Sequence, residues 1–151
     1  MDIRRLSPSD WAVWRDVRLT ALAADPAGSP AKLAVEEQYG EAEWRRLLGP
    51  DAGVKVVAVE PGHPDPIGLV AGMPQEEHPE VLYVYSLWVK PGFRRRGVGE
   101  ALMADVLAWA REHGRPLVRL RVLGENPGAR RLYARLGFTG EGEVLTWRLS
   151  G

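Results

Sequence analysis

The segment Leu87-Trp88-Val89-Lys90-Pro91-Gly92-Phe93-Arg94-Arg95-Arg96-Gly97-Val98-Gly99-Glu100-Ala101 constrains this chain more than any other stretch. Residues Val81 to Val89 are rich in β-branched and aromatic side chains and predict a long central strand. Val98, Leu102, Val106 and Trp109 then recur at helical spacing, and Gly114-Arg115-Pro116 ends that helix. Between strand and helix lies a basic loop, and Gly97 and Gly99 open the helix. The first helical turn carries unpaired N–H groups and the positive end of the helix dipole. Glycine lacks the Cβ that would keep an anion away from this backbone. Three arginines add fixed charge and forked donors. The combination predicts a pyrophosphate site. A basic surface loop before a glycine-started helix is the plainer reading; the common register of strand, arginines and helix outweighs it.

Two familiar phosphate binders fit poorly. A mononucleotide loop places Gly-Lys-Ser/Thr after its glycines, whereas Glu100-Ala101 follow Gly99. A dinucleotide fingerprint wants glycine or alanine where Leu102 stands. A nucleotide-binding domain therefore stays as the weakest of three readings.

A second informative segment is Glu125-Asn126-Pro127-Gly128-Ala129-Arg130-Arg131-Leu132-Tyr133-Ala134-Arg135-Leu136-Gly137-Phe138. Asn126 predicts an N-cap, Pro127 the first helical residue and Gly137 the residue past the end. Tyr133 follows Asn126 by about two turns, so both look toward one side. Taken singly, Asn126 reads as a cap and Tyr133 as a core aromatic with its hydroxyl at the rim. Only their joint spacing after the phosphate loop favours a site.

With both segments in place, the chain resembles the GNAT superfamily of N-acyltransferases. Arg94-x-x-Gly97-x-Gly99 is similar to its acyl-CoA signature, (Gln/Arg)-x-x-Gly-x-(Gly/Ala). Asn126, Ala129, Tyr133, Gly137 and Phe138 match Asn-x-x-Ala-x-x-x-Tyr-x-x-x-Gly-Phe of its fourth-helix region. The likeness runs from Val81 to Phe138. It implies a GNAT-like mixed α/β fold: a mostly antiparallel sheet with a central parallel strand pair, flanked by about four helices. It implies acetyl-CoA as cosubstrate. Residues Arg94, Arg95, Arg96, Gly97, Val98 and Gly99, with Glu100, would hold the pyrophosphate through their backbone. Leu87, Trp88 and Val89 would line the acetyl and pantetheine arm, and Asn126 would bond that arm. Tyr133 would sit near the sulfur as the general acid for the departing thiolate.

The remaining elements agree with such a fold. Asp2 to Leu6 predicts a strand. Ser7-Pro8-Ser9-Asp10 predicts a helix start, with Ser7 as N-cap and Asp10 as capping-box acid. Trp11, Trp14, Val17, Ala21 and Leu22 continue that helix, and Asp25-Pro26 stops it. Ala27 to Gly40 predicts a loop with a short helical piece, and Glu41 to Leu48 a second helix. Val54 to Glu60 and Pro66 to Met73 predict a hairpin across Pro61-Gly62-His63-Pro64-Asp65. Leu117 to Leu123 predicts a strand and Pro127 to Leu136 a helix. Thr139 to Gly142 and Val144 to Leu149 predict a closing pair of strands. One domain is expected over residues 1–151, an ordinary size for a single core.

Composition narrows the chemistry. The 20 Lys+Arg balance the 20 Asp+Glu, which gives no general attraction to nucleic acid or anionic membranes. The six Trp fall mostly on predicted apolar faces rather than on a base-stacking platform. Met-Asp-Ile-Arg-Arg-Leu lacks the apolar core of a signal peptide, and no apolar run approaches the ~20 residues of a membrane span. A cytoplasmic place is expected. His63, His78 and His113 are scattered, so no metal is expected.

The absence of cysteine excludes an acyl-cysteine intermediate. Direct attack by a primary amine, on a small molecule or a peptide, is the expected route. At pH 7 about one lysine-like amine in a thousand is neutral, a cost of about 4–5 kcal/mol that a base or a desolvating site has to offset. The Val89 N–H is the oxyanion donor by family analogy. Many GNAT relatives carry a glutamate on this strand; here it has none. Tyr85 and Ser86 are the candidates for a proton relay through water. Glu36, Glu37, Glu76, Glu77 and Glu80 read as solvated surface charges. Acceptor-facing residues are expected in Ala24 to Gly40, the hairpin turns and the last strands. The rival to an enzyme is a non-catalytic acyl-CoA-binding or sensor module that keeps Gly97, Gly99 and Asn126 and needs no base. A homodimer is compatible with such folds.

Overall fold

The computed structural model describes residues 1–24 and 30–149. Six strands form one sheet: β1 Asp2–Arg5, β2 Val54–Val59, β3 Gly68–Pro74, β4 Val81–Val89, β5 Leu117–Arg121 and β6 Val144–Arg148. They lie side by side in chain order. Every neighbouring pair is antiparallel except β4 and β5, which run parallel at the centre. Five α-helices occur among the described residues: α1 Trp11–Ala24, α2 Pro30–Glu36, α3 Glu41–Leu47, α4 Val98–Glu112 and α5 Pro127–Arg135. The short piece expected in Ala27 to Gly40 is α2, which makes the helix count five. The expected stop at Asp25-Pro26 lies outside the described residues. No helix among those residues is long and apolar enough to cross a membrane.

Strand alternation explains how the helices are placed, because successive side chains face opposite sides of a sheet. On one side Val56, Val70, Leu82 and Val118 pack beneath Leu102, Met103 and Val106 of α4. On the other, Val57, Leu69 and Ala71 pack beneath Trp14, Val17 and Ala21 of α1 and Trp44 of α3. Strands β2 and β3 are covered on both faces, hence their nearly unbroken apolar runs. The start of α1 follows its sequence signal: the Asp10 carboxylate accepts the Ser7 N–H at 2.9 Å, closing a short 3₁₀ turn over Pro8–Asp10.

The expected strand Thr139 to Gly142 does not form. Only Thr139 bridges to Thr146, and Gly140 has φ +138°, which takes the chain out of extended geometry at once. The sheet therefore ends on β6.

Strand β4 carries two irregularities that make the site. Its parallel pairing with β5 runs only from Val81 to Tyr83, against Leu117 to Arg119; beyond that the two strands part. On its other edge Val84 faces Gly72 and Leu87 faces Val70, so Tyr85 and Ser86 together oppose Ala71 in a β-bulge. Ser86 has φ +128°, a region that costs a non-glycine residue about 1–3 kcal/mol.

Candidate functional site

The parting of β4 and β5 opens a cavity of about 610 Å³ between β4, the loop after it, the first turn of α4, and α5. The Lys90 N–H donates to the Ile67 carbonyl at 2.8 Å. Alternation along the antiparallel ladder then turns the N–H groups of Leu87 and Val89 toward the free edge, where β5 has left. The loop folds back on this edge, with Arg94 Nε donating to the Val89 carbonyl at 2.9 Å. Gly97 caps α4 in the left-handed region, at φ +77°, and a Cβ placed on it would meet no protein atom within 4 Å. That open space lies in front of the helix end. The first intrahelical bond runs from the Ala101 N–H to the Gly97 carbonyl at 3.0 Å, so the N–H groups of Val98, Gly99 and Glu100 have no helical partner.

Charge at this mouth is positive. Arg94, Arg95 and Arg135 line it together with one acid, Glu100, which Arg135 holds at 2.9 Å. Arg95 has no ion-pair or hydrogen-bond partner among the described residues. On the far wall Asn126 caps α5, its Oδ1 accepting the Ala129 N–H at 3.1 Å, which leaves its amide NH₂ for other partners. Tyr133 is 8% exposed and packs edge-on against Phe138 at 5.7 Å. Burial pushes its phenol pKa up, so the hydroxyl stays protonated at neutral pH.

A model of the acetyltransferase (GNAT) family matches residues 16–138. The chain belongs to that family. It is 38% identical over 86 residues, 54% of its length, to an uncharacterized N-acetyltransferase of Methanocaldococcus jannaschii. It is 39% identical over 104 residues, 69% of its length, to a mycothiol acetyltransferase of Nocardiopsis dassonvillei. It spans only 38% and 30% of those two proteins. Its fold matches that of a GNAT family acetyltransferase from Brucella melitensis in complex with acetyl-CoA, with a TM-score of 0.70 at 21% identity over 99% of this chain and 88% of that one.

In this GNAT chain, Leu87, Trp88, Val89, Arg94, Arg95, Gly97, Val98, Gly99, Glu100, Asn126 and Tyr133 all line the cavity. Arg96 does not; its guanidinium lies over the Phe93 ring at 5.4 Å. Phe93, Leu132 and Arg135 line the cavity without having been singled out in sequence. For Leu132 the signal was available, since Ala129, Leu132 and Tyr133 share one helical face at three- and four-residue spacing.

Tyr85 and Ser86 occupy the opposite side of β4. The Ser86 hydroxyl accepts from Arg18 Nη1. Arg18 is 4% exposed, and its Nε and Nη2 donate to the two carboxylate oxygens of Glu36 at 3.0 Å each. Glu36 is therefore not the solvated charge its sequence context suggests: its side chain is 13% exposed and held in a forked pair. Glu37, Glu76, Glu77 and Glu80 are exposed as expected. Two cations flank the Tyr85 ring, Arg18 at 5.6 Å and Lys55 at 5.7 Å. Lys55 is 2% exposed and donates to the Ala52 carbonyl at 2.7 Å. Burial, with the charges of Arg46 and Arg18, pulls its pKa down to about 8. Burial pushes Tyr85 up to about 12, against the opposing pull of Arg18.

Proposed function

We propose that this chain is an acetyl-CoA-dependent N-acetyltransferase that moves an acetyl group to a primary amine by direct attack. The observation that carries the reading is the meeting of two sets of unpaired N–H groups in one cavity, those on the free edge of β4 and those on the first turn of α4. Acetyl-CoA would supply the thioester. The amides of Val98, Gly99 and Glu100, with Arg94 and Arg95, suit its pyrophosphate. The edge of β4 suits the amide-bearing arm, and the Val89 N–H suits the oxyanion that develops at the carbonyl. The free NH₂ of Asn126 suits a carbonyl of the same arm.

Attack by the neutral amine forms the new C–N bond as the C–S bond breaks. The thiolate needs only modest help to leave, its conjugate acid having a pKa of about 8–9. A Tyr133 hydroxyl kept protonated by burial supports its role as the proton donor. The amine proton leaves through water by way of Ser86 and Tyr85. Ser86 accepts from Arg18 and so keeps its own hydroxyl hydrogen for a water. The names of GNAT-fold structures such as an aminoglycoside acetyltransferase support a small-molecule amine as acceptor.

The test is thiol release from acetyl-CoA across a panel of primary amines and peptides, in the native chain and in Tyr133→Phe. Turnover should fall about 10–100-fold in the variant while acetyl-CoA affinity stays within about threefold. Tight acetyl-CoA binding with no release against any amine would favour the sensor module instead.

A further inference from the structure

We propose that Arg18 is a positioning residue for the acyl group: clamped by Glu36, it holds Ser86 in the bulge of β4 and so keeps the N–H groups of Leu87 and Val89 aimed into the cavity. The inference rests on the reading of that cavity as an acyl-CoA site.

Parity makes the bulge necessary. Tyr85 and Ser86 share one partner on β3, and beyond them Leu87 and Val89 offer their N–H groups to the free edge. Without the extra residue, every group past the bulge would turn to the other side, and Ser86 and Trp88 would offer theirs instead. The bulge is also the strained point of the strand. Ser86 and Arg95 are the non-glycine residues with positive φ among those described, and only Ser86 lies within a strand. A serine at φ +128° persists when its surroundings hold it there.

The side-chain partner of Ser86 in those surroundings is one guanidinium. Arg18 donates to the Ser86 hydroxyl and lies 5.6 Å from the ring of Tyr85, so it touches both residues of the bulge. Its other two donor positions are taken by Glu36, which arrives from α2 while Arg18 comes from α1. A forked, charge-assisted pair fixes the guanidinium plane far more tightly than an apolar side chain would be fixed. A group needed only to fill space at a nearly sealed position would be apolar, since burying an ion pair seldom adds stability over apolar packing.

The reading separates two affinities. Both CoA and acetyl-CoA engage the phosphate loop and lay the amide-bearing arm along the strand edge, but only acetyl-CoA adds a thioester carbonyl at the Val89 N–H. Calorimetric titration of the native chain should show acetyl-CoA binding at least about fivefold tighter than CoA. In Arg18→Met, and separately in Glu36→Gln, that preference should fall below about twofold, because acetyl-CoA affinity falls by more than CoA affinity. Adding Ser86→Gly to Arg18→Met should restore at least half of the preference, because glycine reaches this φ without a clamp. If Arg18→Met does not fold, Glu36→Gln and its Ser86→Gly double variant carry the same comparison. A preference that survives both single variants would overturn the proposal. So would equal losses of CoA and acetyl-CoA affinity, an absence of rescue by Ser86→Gly, or a native chain that binds the two ligands alike. A native chain that binds neither ligand would instead remove the acyl-CoA reading on which the proposal stands.

Discussion

The two faces of the sheet bury different things. Beneath α4 the buried side chains are apolar, with Leu102, Met103 and Val106 closed over Val56, Val70 and Leu82. Beneath α1 and α3 the same kind of apolar packing surrounds Arg18 and Lys55, the two buried charged residues among those described. The first face follows from volume and area removed from water. The second accepts a desolvation cost, and it does so beside the bulge of β4. Stability is concentrated under α4; under α1 part of it is given up where backbone geometry matters.

On the α4 face, Leu102 is fully buried. Leu102→Ala should cost about 2–5 kcal/mol, and calorimetry should show the midpoint falling by roughly 2–4 °C for each of them. A loss under about 1 kcal/mol would mean that α4 does not cover the dominant core.

Lys55 tests the other face, with the opposite sign. Its folded pKa of about 8 lies below its ordinary 10.5. Below pH 8 both folded and unfolded chains hold the proton, and the folded chain bears the full cost of a buried ammonium. Between pH 8 and 10.5 the unfolded chain holds more protons, so native stability rises with pH through that window. Lys55→Met should therefore stabilise the protein at pH 7 by about 1–3 kcal/mol, after loss of the bond to Ala52, and the gain should shrink as pH climbs through the window. Urea unfolding at pH 7 and pH 10 reads this directly, and a difference that does not change with pH would contradict it.

The smallest effect is expected where charge is exposed. Arg5 joins β1 to α4 through Asp105 at 2.9 Å and Glu112 at 2.5 Å, with all three side chains reached by solvent. Arg5→Ala should cost less than about 1 kcal/mol in thermal melts, and less still in high salt. A larger loss would place a real share of the stability in surface ion pairs.

The cavity was legible in sequence because its chemistry is local. One contiguous segment supplies the strand end, the basic loop and the helix start, and a second supplies a cap and a tyrosine two turns later. Spacing alone brings their residues onto shared faces. The parallel centre of the sheet came from resemblance rather than from any pattern in the residues. The pairing of Glu36 is not legible in sequence, because nothing near it in the chain marks the Arg18 guanidinium on another helix. Arg18 falls beside Val17 on the buried side of α1, and Lys55 interrupts a run of valines; both look like ordinary polar positions until tertiary packing seals them. The strand expected at Thr139 to Gly142 failed because two of its four residues are glycines, one of them at φ +138°. The bulge at Ser86 leaves no mark in sequence, since the Arg18–Glu36 pair that meets it comes from two other elements.

The cavity between β4 and α4 is proposed to take an acyl-CoA. The direct measurement is calorimetric titration of acetyl-CoA into the native chain and into an Arg95→Glu/Gly97→Asp variant, which sets two negative charges at the helix end. Native binding with a Kd of about 1–100 μM, weakened at least about 100-fold in the variant, is the predicted result. A native chain that does not bind acetyl-CoA, or a folded variant that binds it equally well, would contradict the claim.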